Sequence, residues 1–171
     1  MRVGFGVDVH RFCAGDKVVL GGIIIPHTHA LEAHSDGDVL LHALCDALLG
    51  AAGLGDIGAH FPDTDARYKN VNSRELLRLV IAKLSAVDLV PYNVSVVVVA
   101  QAPKLSPYIP SMRASIAEDM KLESSYVNVA ATTSEYLGFT GRKEGIAAFA
   151  TVTILSSEST KSSKPATANF A

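Results

Sequence analysis

The chain has 171 residues, 49% of them hydrophobic and 19% charged, and 15 basic against 17 acidic side chains leave a net charge of −2. Those values exclude a generally disordered chain and the basic footprint of a nucleic-acid binder, and they suit one domain with a full apolar core. The nearest approach to a long apolar run, residues 94–100, falls far short of the roughly 18 residues a membrane span needs, and Met1-Arg2-Val3-Gly4-Phe5 has no signal- or transit-peptide layout, so a cytosolic location is expected.

Residues 1–10 predict an opening β-strand, and residues 18–25 a hairpin or bulged pair around Gly21-Gly22. Residues 38–52 have the Leu/Ala content and length of a helix, with Asp38 as its cap. Asn72-Ser73-Arg74-Glu75 has the form of a capping box, opening a helix on which Leu76, Leu77, Val80, Ile81, Leu84 and Val87 share one face. The β-branched run at 94–100 predicts a buried strand. Pro107 and Pro110 fall where a helix can begin, and Met112, Ile116 and Met120 follow at helical spacing. Strands at 127–131 and 145–155 complete the order β-β-α-α-β-α-β-β. This is an α+β domain over residues 1–155, a mixed sheet with helices on one face. Residues 156–171, rich in Ser, Thr, Lys and Ala, read as a disordered polar tail. Cys13 and Cys45 are expected as free thiols.

The helix at 38–52 is apolar nearly all round, so it should be buried. Its exceptions, Asp38, His42 and Asp46, stand at i, i+4 and i+8 along one stripe. Buried polar groups need partners, so these three point to a shared polar site, or to a cap plus a partnered core histidine. Cys45, close by on the helix surface, is a rival soft ligand. In Asp8-Val9-His10 the carboxylate and imidazole project from the same face of a strand, and the flanking Gly4 and Gly6 suggest close approach by another backbone. One carboxylate and two imidazoles make an N/O trio of the kind catalytic zinc sites use, although Asp-x-His alone is common on surfaces. Ala33-His34-Ser35-Asp36-Gly37-Asp38 runs into the helix start, where backbone N–H groups favour an anion, unless it is simply a capped turn. Two further polar loops are Gly55-Asp56-Ile57-Gly58 with Phe61-Pro62-Asp63-Thr64-Asp65, and Thr132-Thr133-Ser134-Glu135 with Gly138-Phe139-Thr140-Gly141-Arg142. The second offers hydroxyls, a carboxylate and an arginine suited to a phosphate and its magnesium ion.

Taken together with Gly6-Val7-Asp8-Val9-His10, Val39-Leu40-Leu41-His42 and Ala100-Gln101-Ala102-Pro103-Lys104, these segments resemble the 2-C-methyl-D-erythritol 2,4-cyclodiphosphate synthase family, in order and in register from residue 1 to about residue 155. The resemblance implies a ferredoxin-like sheet-and-helix fold and a homotrimer with active sites between subunits. It implies that Asp8, His10 and His42 bind a divalent transition metal, usually zinc, and that Glu135 helps place a second ion, magnesium or manganese, bridging the substrate diphosphate. His34 and Thr133 would be the catalytic pair, steadying charge at phosphorus and holding phosphate oxygens together with Ser35. Asp8, Val9, His10, Asp56, Ile57, Gly58, Phe61, Pro62, Asp63, Thr64 and Asp65 would line the methylerythritol and phosphate region. Ala100, Gln101, Ala102, Pro103, Lys104, Leu105 and Ser106, with Thr132, Ser134 and Glu135, would hold the cytidine diphosphate part, and Phe139 and Arg142 would make further substrate or cavity contacts. The family pattern has Lys immediately before Ala-Thr-Thr, where this chain has Ala130; a cation near the nucleotide phosphates or a neighbouring subunit is thereby lost.

The implied reaction converts 4-diphosphocytidyl-2-C-methyl-D-erythritol 2-phosphate to the 2,4-cyclodiphosphate with release of CMP, in the non-mevalonate isoprenoid pathway. No nucleic-acid or membrane partner is expected, and the location is a bacterial cytoplasm or a plastid after transit-peptide removal. Two rival readings are a metal-dependent phosphohydrolase using the same ligands and a non-catalytic trimeric nucleotide sensor.

Overall fold

The computed structural model describes residues 1–158; residues 159–171, most of the expected tail, lie outside the described residues. Strand β1 (Arg2–Ala14) leads into a hairpin of β2 (Lys17–Leu20) and β3 (Ile23–Pro26), then β4 (His29–Leu31), α1 (Val39–Ala52), a short α2 (Ile57–His60) and α3 (Ser73–Ser85). There follow β5 (Leu89–Val99), α4 (Ile109–Met120), β6 (Val127–Thr132), a single turn α5 (Gly138–Gly141) and β7 (Gly145–Ser156).

Several boundaries differ from expectation for identifiable reasons. β1 runs four residues past His10 because β4 pairs with its far end, Phe12 opposite Leu31 and Ala14 opposite His29. β5 begins at Leu89, across an irregularity between Pro91 and Asn93, where the imino nitrogen has no proton to give the ladder. Val87 lies beyond α3 and is 46% exposed, so it leaves the apolar stripe that Leu76, Leu77, Val80, Ile81 and Leu84 form. α4 takes Pro110 into its first turn, with Pro107 outside it.

The main sheet has the order β4-β1-β7-β5-β6, with β5 and β6 parallel and the other pairs antiparallel. The parallel pair requires a crossover, which α4 supplies. With α1 and α3 both between β1 and β5, the connectivity through the central strands is β-α-α-β-α-β-β, not the β-α-β-β-α-β of a ferredoxin-like unit, which corrects the expected fold subtype while keeping the α+β class. Helices cover one face, where Val94, Val96, Val98, Ala148, Ala150 and Val152 are buried. The other face is open: Val3 is 65% and Phe5 64% exposed, and Val7, Val9 and Phe149 are exposed beside them. The run at 94–100 is thus buried on one side only, because Ser95, Val97 and Val99 fall on the open face.

α1 lies between the sheet and α3 and is buried along most of its length. It sits unusually close to β1 because Gly4 and Gly6 face it. A methyl group on Gly6 would stand 2.6 Å from the Ala47 nitrogen and closer still to the Ala43 carbonyl. The backbone approach suggested by these glycines is the contact that brings α1 over the end of β1 carrying Asp8 and His10.

Candidate metal centre and substrate clefts

Asp8 and His10 lie on the α1-facing side of β1, in register with Gly4 and Gly6, and His42 projects from the first turns of α1. Among the described residues these three form a group able to hold a metal ion. Asp8 Oδ2 is 2.8 Å from His10 Nε2 and 3.1 Å from His42 Nδ1, and the two imidazole nitrogens are 3.1 Å apart. A tetrahedral zinc with bonds of about 2.0–2.1 Å holds its donors about 3.3–3.4 Å apart, so the triangle is nearly the right size. Asp8 Oδ1 is occupied by the Val9 N–H at 2.8 Å, which leaves Oδ2 for the histidines. His10 Nδ1 is 2.7 Å from the Glu32 carbonyl and donates to it, so its Nε2 presents a lone pair to the carboxylate. Acceptors packed this closely need a shared cation, whether a proton or a metal ion. The electrostatics agree: burial raises the Asp8 carboxyl, but hydrogen bonds and charge from His10 and His42 outweigh it and hold Asp8 well below its ordinary range. Burial lowers His10, and Asp8 with the Glu32 carbonyl more than offsets this, so His10 stays protonated to higher pH than usual.

A cleft of about 270 Å³ opens over this triangle, lined by Asp8, His10, His34, Ser35, His42, Ile57, Gly58, Phe61 and Asp63, with Ala33, Tyr68, Val71 and Leu76. A second, of about 320 Å³, lies where β5 and β6 end, lined by Ala100, Gln101, Pro103, Lys104, Leu105, Ser106, Thr132 and Thr133, with Ile109 and Ala131. Most of the expected substrate residues therefore line one or other of two clefts, and the expected pair of His34 and Thr133 is divided between them, His34 with Ser35 in the first and Thr133 in the second.

The profile of the YgbB family matches residues 1–155. The chain belongs to this family. It is 63% identical over 154 residues to the 2-C-methyl-D-erythritol 2,4-cyclodiphosphate synthase of Saccharophagus degradans, covering 90% of this chain and 99% of that one. Among solved structures, the bifunctional IspDF of Campylobacter jejuni superimposes with a TM-score of 0.86 at 47% identity, over 90% of this chain and 42% of that chain. A CDP-bound structure of 2C-methyl-D-erythritol-2,4-cyclodiphosphate synthase gives 0.83 at 37% identity, over 90% of this chain and all of its own (100%).

In this YgbB chain the polar stripe of α1 does not form one site. Asp38 is fully buried and accepts from the N–H groups of Leu41, Gly21 and Gly22 at 3.0, 3.0 and 2.6 Å, capping α1 and pinning the β2–β3 turn to it. Burial raises its carboxyl to about 6, against the pull of those N–H donors. The anion expected at the helix start is thus the chain's own Asp38. Asp46 accepts from the Ile57 N–H at 2.7 Å and so anchors α2, whose Ile57 and Gly58 line the first cleft. Only His42 joins the ligand triangle. Cys45 is buried in the core and its thiol is pushed far up by burial, so it is no ligand; both cysteines are free.

The remaining expected residues sit outside the two cleft linings. Asp56 caps α2 through the Ala59 N–H at 2.8 Å, and Asp65 grips Arg67 at 2.6 Å. Pro62 and Thr64 lie on the same loop, and the Val9 side chain is on the open sheet face. Glu135 accepts from Thr133 Oγ1 at 2.7 Å, placing it beside the second cleft and outside the ligand triangle of its own chain. Ser134 Oγ donates to the Leu137 carbonyl at 2.7 Å, Phe139 is in α5, and Arg142 is bonded to Glu144 at 2.8 and 3.0 Å. Ala130 stands on the open sheet face, opposite Val97. Sequence reasoning missed Ser73 as a site residue: it reads as part of a helix cap, yet its fully buried hydroxyl is 2.9 Å from His42 Nε2.

Proposed function

We propose that the protein catalyses the 2-C-methyl-D-erythritol 2,4-cyclodiphosphate synthase reaction of the non-mevalonate isoprenoid pathway. The 2-phosphate of the cytidylyl substrate attacks the β-phosphorus of the same molecule, closing the cyclic diphosphate and expelling CMP. The observation that carries this reading is the Asp8–His10–His42 triangle at the base of a cleft, in a chain 63% identical to a curated synthase.

Asp8, His10 and His42 are the residues to hold a zinc-like ion, their donor set and spacing fitting it. When bound, such an ion supplies Lewis-acid stabilisation of phosphoryl oxygens. Glu135 would help hold a magnesium or manganese ion, which would offset diphosphate charge, and Thr133 would hold the phosphate itself. His34 and Ser35, on the rim of the first cleft, donate to phosphate oxygens as charge builds there. A phosphate monoester is nucleophilic near neutral pH, so the chain needs no strong base. Its work is to fold the substrate back on itself, an orientation effect that contributes on the order of 7–11 kcal/mol. Phe61, Ile57 and Leu76 give the cleft apolar walls that help exclude water, which would otherwise hydrolyse the same bond.

The second cleft suits the cytidine moiety, a reading supported by the likeness to the CDP-bound structure. A homotrimer, with the metal cleft of one subunit completed by the nucleotide cleft of the next, accounts for the two separate clefts and for the apolar open face at Val3, Phe5 and Phe149. Phe139 and Arg142 are assigned to that intersubunit region. A domain of residues 1–155 with a polar tail, working in a bacterial cytoplasm, completes the reading. The test is incubation with the cytidylyl substrate, zinc and magnesium in heavy-oxygen water, followed by phosphorus NMR and mass spectrometry. A cyclic product without solvent oxygen is expected; a linear product carrying it would replace this reading with a phosphohydrolase, and tight CMP binding without turnover with a sensor.

A further inference from the structure

His42 has two ring nitrogens with different company. Nδ1 faces Asp8 and His10; Nε2 points away from them, 2.9 Å from Ser73 Oγ and 3.0 Å from Ser35 Oγ. Either serine hydroxyl can give or take a proton, so these contacts alone leave the tautomer open. Asp36 decides it. Its carboxylate accepts the Ser73 hydroxyl at 2.5 Å and the Ser73 backbone N–H at 3.0 Å, and as a carboxylate it can only accept. The Ser73 proton is therefore committed to Asp36, and the lone pairs of its oxygen are what remain for His42. The ring must then carry its proton on Nε2, donated to Ser73, and its Nδ1 is bare.

We propose that Asp36 and Ser73 are positioning residues that hold His42 as the Nε2–H tautomer and so keep Nδ1 open as the third donor beside Asp8 and His10. The two histidines are set by different means: a backbone carbonyl fixes His10 and leaves Nε2 outward, whereas a serine–carboxylate pair fixes His42 and leaves Nδ1 outward. The pair also joins elements far apart in the chain. Asp36 precedes α1 and Ser73 opens α3, and the Asp36 N–H donates to the Val71 carbonyl at 3.1 Å, so the α3 start is fastened to the α1 entry loop at the point where the ring is oriented. Ser73 is fully buried, so water does not compete for its hydroxyl. Ser35 is not so constrained: among the described residues its oxygen meets, besides His42, only the Gly37 N–H in a long contact of 3.3 Å, and nothing commits its proton elsewhere. If Ser73 is removed, Ser35 is free to donate to Nε2 and drive the proton to Nδ1.

The inference rests on the metal role proposed for His42, but its test does not. Imidazole-nitrogen NMR on the metal-free full-length protein, at a pH where His42 is neutral, reads the tautomer directly. Wild type is expected to show a proton on Nε2 and none on Nδ1. Ser73→Ala is expected to shift the ring toward Nδ1–H and to weaken zinc binding on the order of 10–100-fold in a chelator competition. Ser73→Thr, which keeps the hydroxyl, restores both. Asp36→Asn offers an amide that can donate to Ser73 and reverse the chain of hydrogen bonds, giving Nδ1–H in a protein of nearly unchanged shape. A wild-type ring protonated on Nδ1, or Ser73→Ala and Asp36→Asn variants with unchanged tautomer and zinc affinity, overturns the proposal. Failure of wild type to bind zinc at all, with the Nε2–H tautomer present, removes the metal reading and leaves the relay standing.

Discussion

Gly6→Ala is the substitution that most directly tests how the fold builds the site. The new methyl group would lie 2.6 Å from the Ala47 nitrogen, with the Ala43 carbonyl nearer still. Ordinary contact is about 3.5 Å, so α1 must retreat from β1 by about 1 Å. Both obstacles are helix backbone, so no side-chain rotation relieves the clash. Overpacking of this kind costs about 1–3 kcal/mol. At roughly 2–4 °C per kcal/mol for a chain of this length, thermal unfolding of the metal-free protein should fall by about 2–12 °C. The larger effect is chemical. His42 rides on α1 while Asp8 and His10 stay on β1, so the donor triangle opens by the same displacement. A misplacement of about 1 Å can cost on the order of 100-fold in rate, and CMP release should fall accordingly while the variant remains folded. Zinc affinity by chelator competition, CMP release and calorimetric melting measure the three consequences. A Gly6→Ala protein with wild-type zinc affinity and turnover would show that the close contact of α1 and β1 does not set the site.

Three further outcomes are expected. Asp38→Ala strands the N–H groups of Gly21, Gly22 and Leu41; with a helix cap worth about 0.5–2 kcal/mol and buried unpaired donors about 1–3 kcal/mol each, denaturant unfolding should show a loss near 3 kcal/mol, and a loss below about 1 kcal/mol would contradict the assignment. In metal-free protein, the raised His10 contributes stability that is complete below its ordinary value of 6.5 and fades as pH rises through its folded value, while the depressed Asp8 contributes above 3.8 and loses this only as pH falls through its folded value. Asp8→Asn should therefore lower the melting temperature most near pH 5, roughly between those limits, and less in alkaline buffer; a difference independent of pH refutes the ion pair. Phe5→Asp places a charge on the open apolar face and should convert a particle of three 18.0 kDa chains to single chains in sedimentation equilibrium, whereas an unchanged mass would remove that face from the proposed trimer.

The parts of the site legible in the sequence were those governed by local periodicity. Asp8 and His10 share a strand face by the two-residue repeat, and Gly4 and Gly6 on that same face point to a backbone neighbour, which is α1. The all-round apolar character of residues 39–52 signalled burial, and Asp38 its cap. What local pattern could not assign was the partner of each polar group. Asp38, His42 and Asp46 look equivalent on a helical wheel, yet one holds a turn, one enters the ligand triangle and one anchors α2, because three different segments meet them. Ser73 was hidden for the same reason: its role comes from Asp36 and His42, each more than thirty positions away. β4 was missed because three residues carry little pattern, and the ferredoxin-like expectation failed because strand order is set by long-range pairing.

The place of β7 has a consequence for biosynthesis. Among the described strands β7 leaves the ribosome last, and it fills the slot between β1 and β5, pairing Arg2 with Ile154 and Val94 with Val152. Until it emerges, β1 lacks its only described partner along most of its length, and the nascent polypeptide cannot finish this sheet. Loop-closure entropy must be met across nearly the entire chain before the central pairs form, so assembly should be late, slow and all-or-none. A message truncated before residue 145 should yield a product for the cell's proteases rather than a partly active domain.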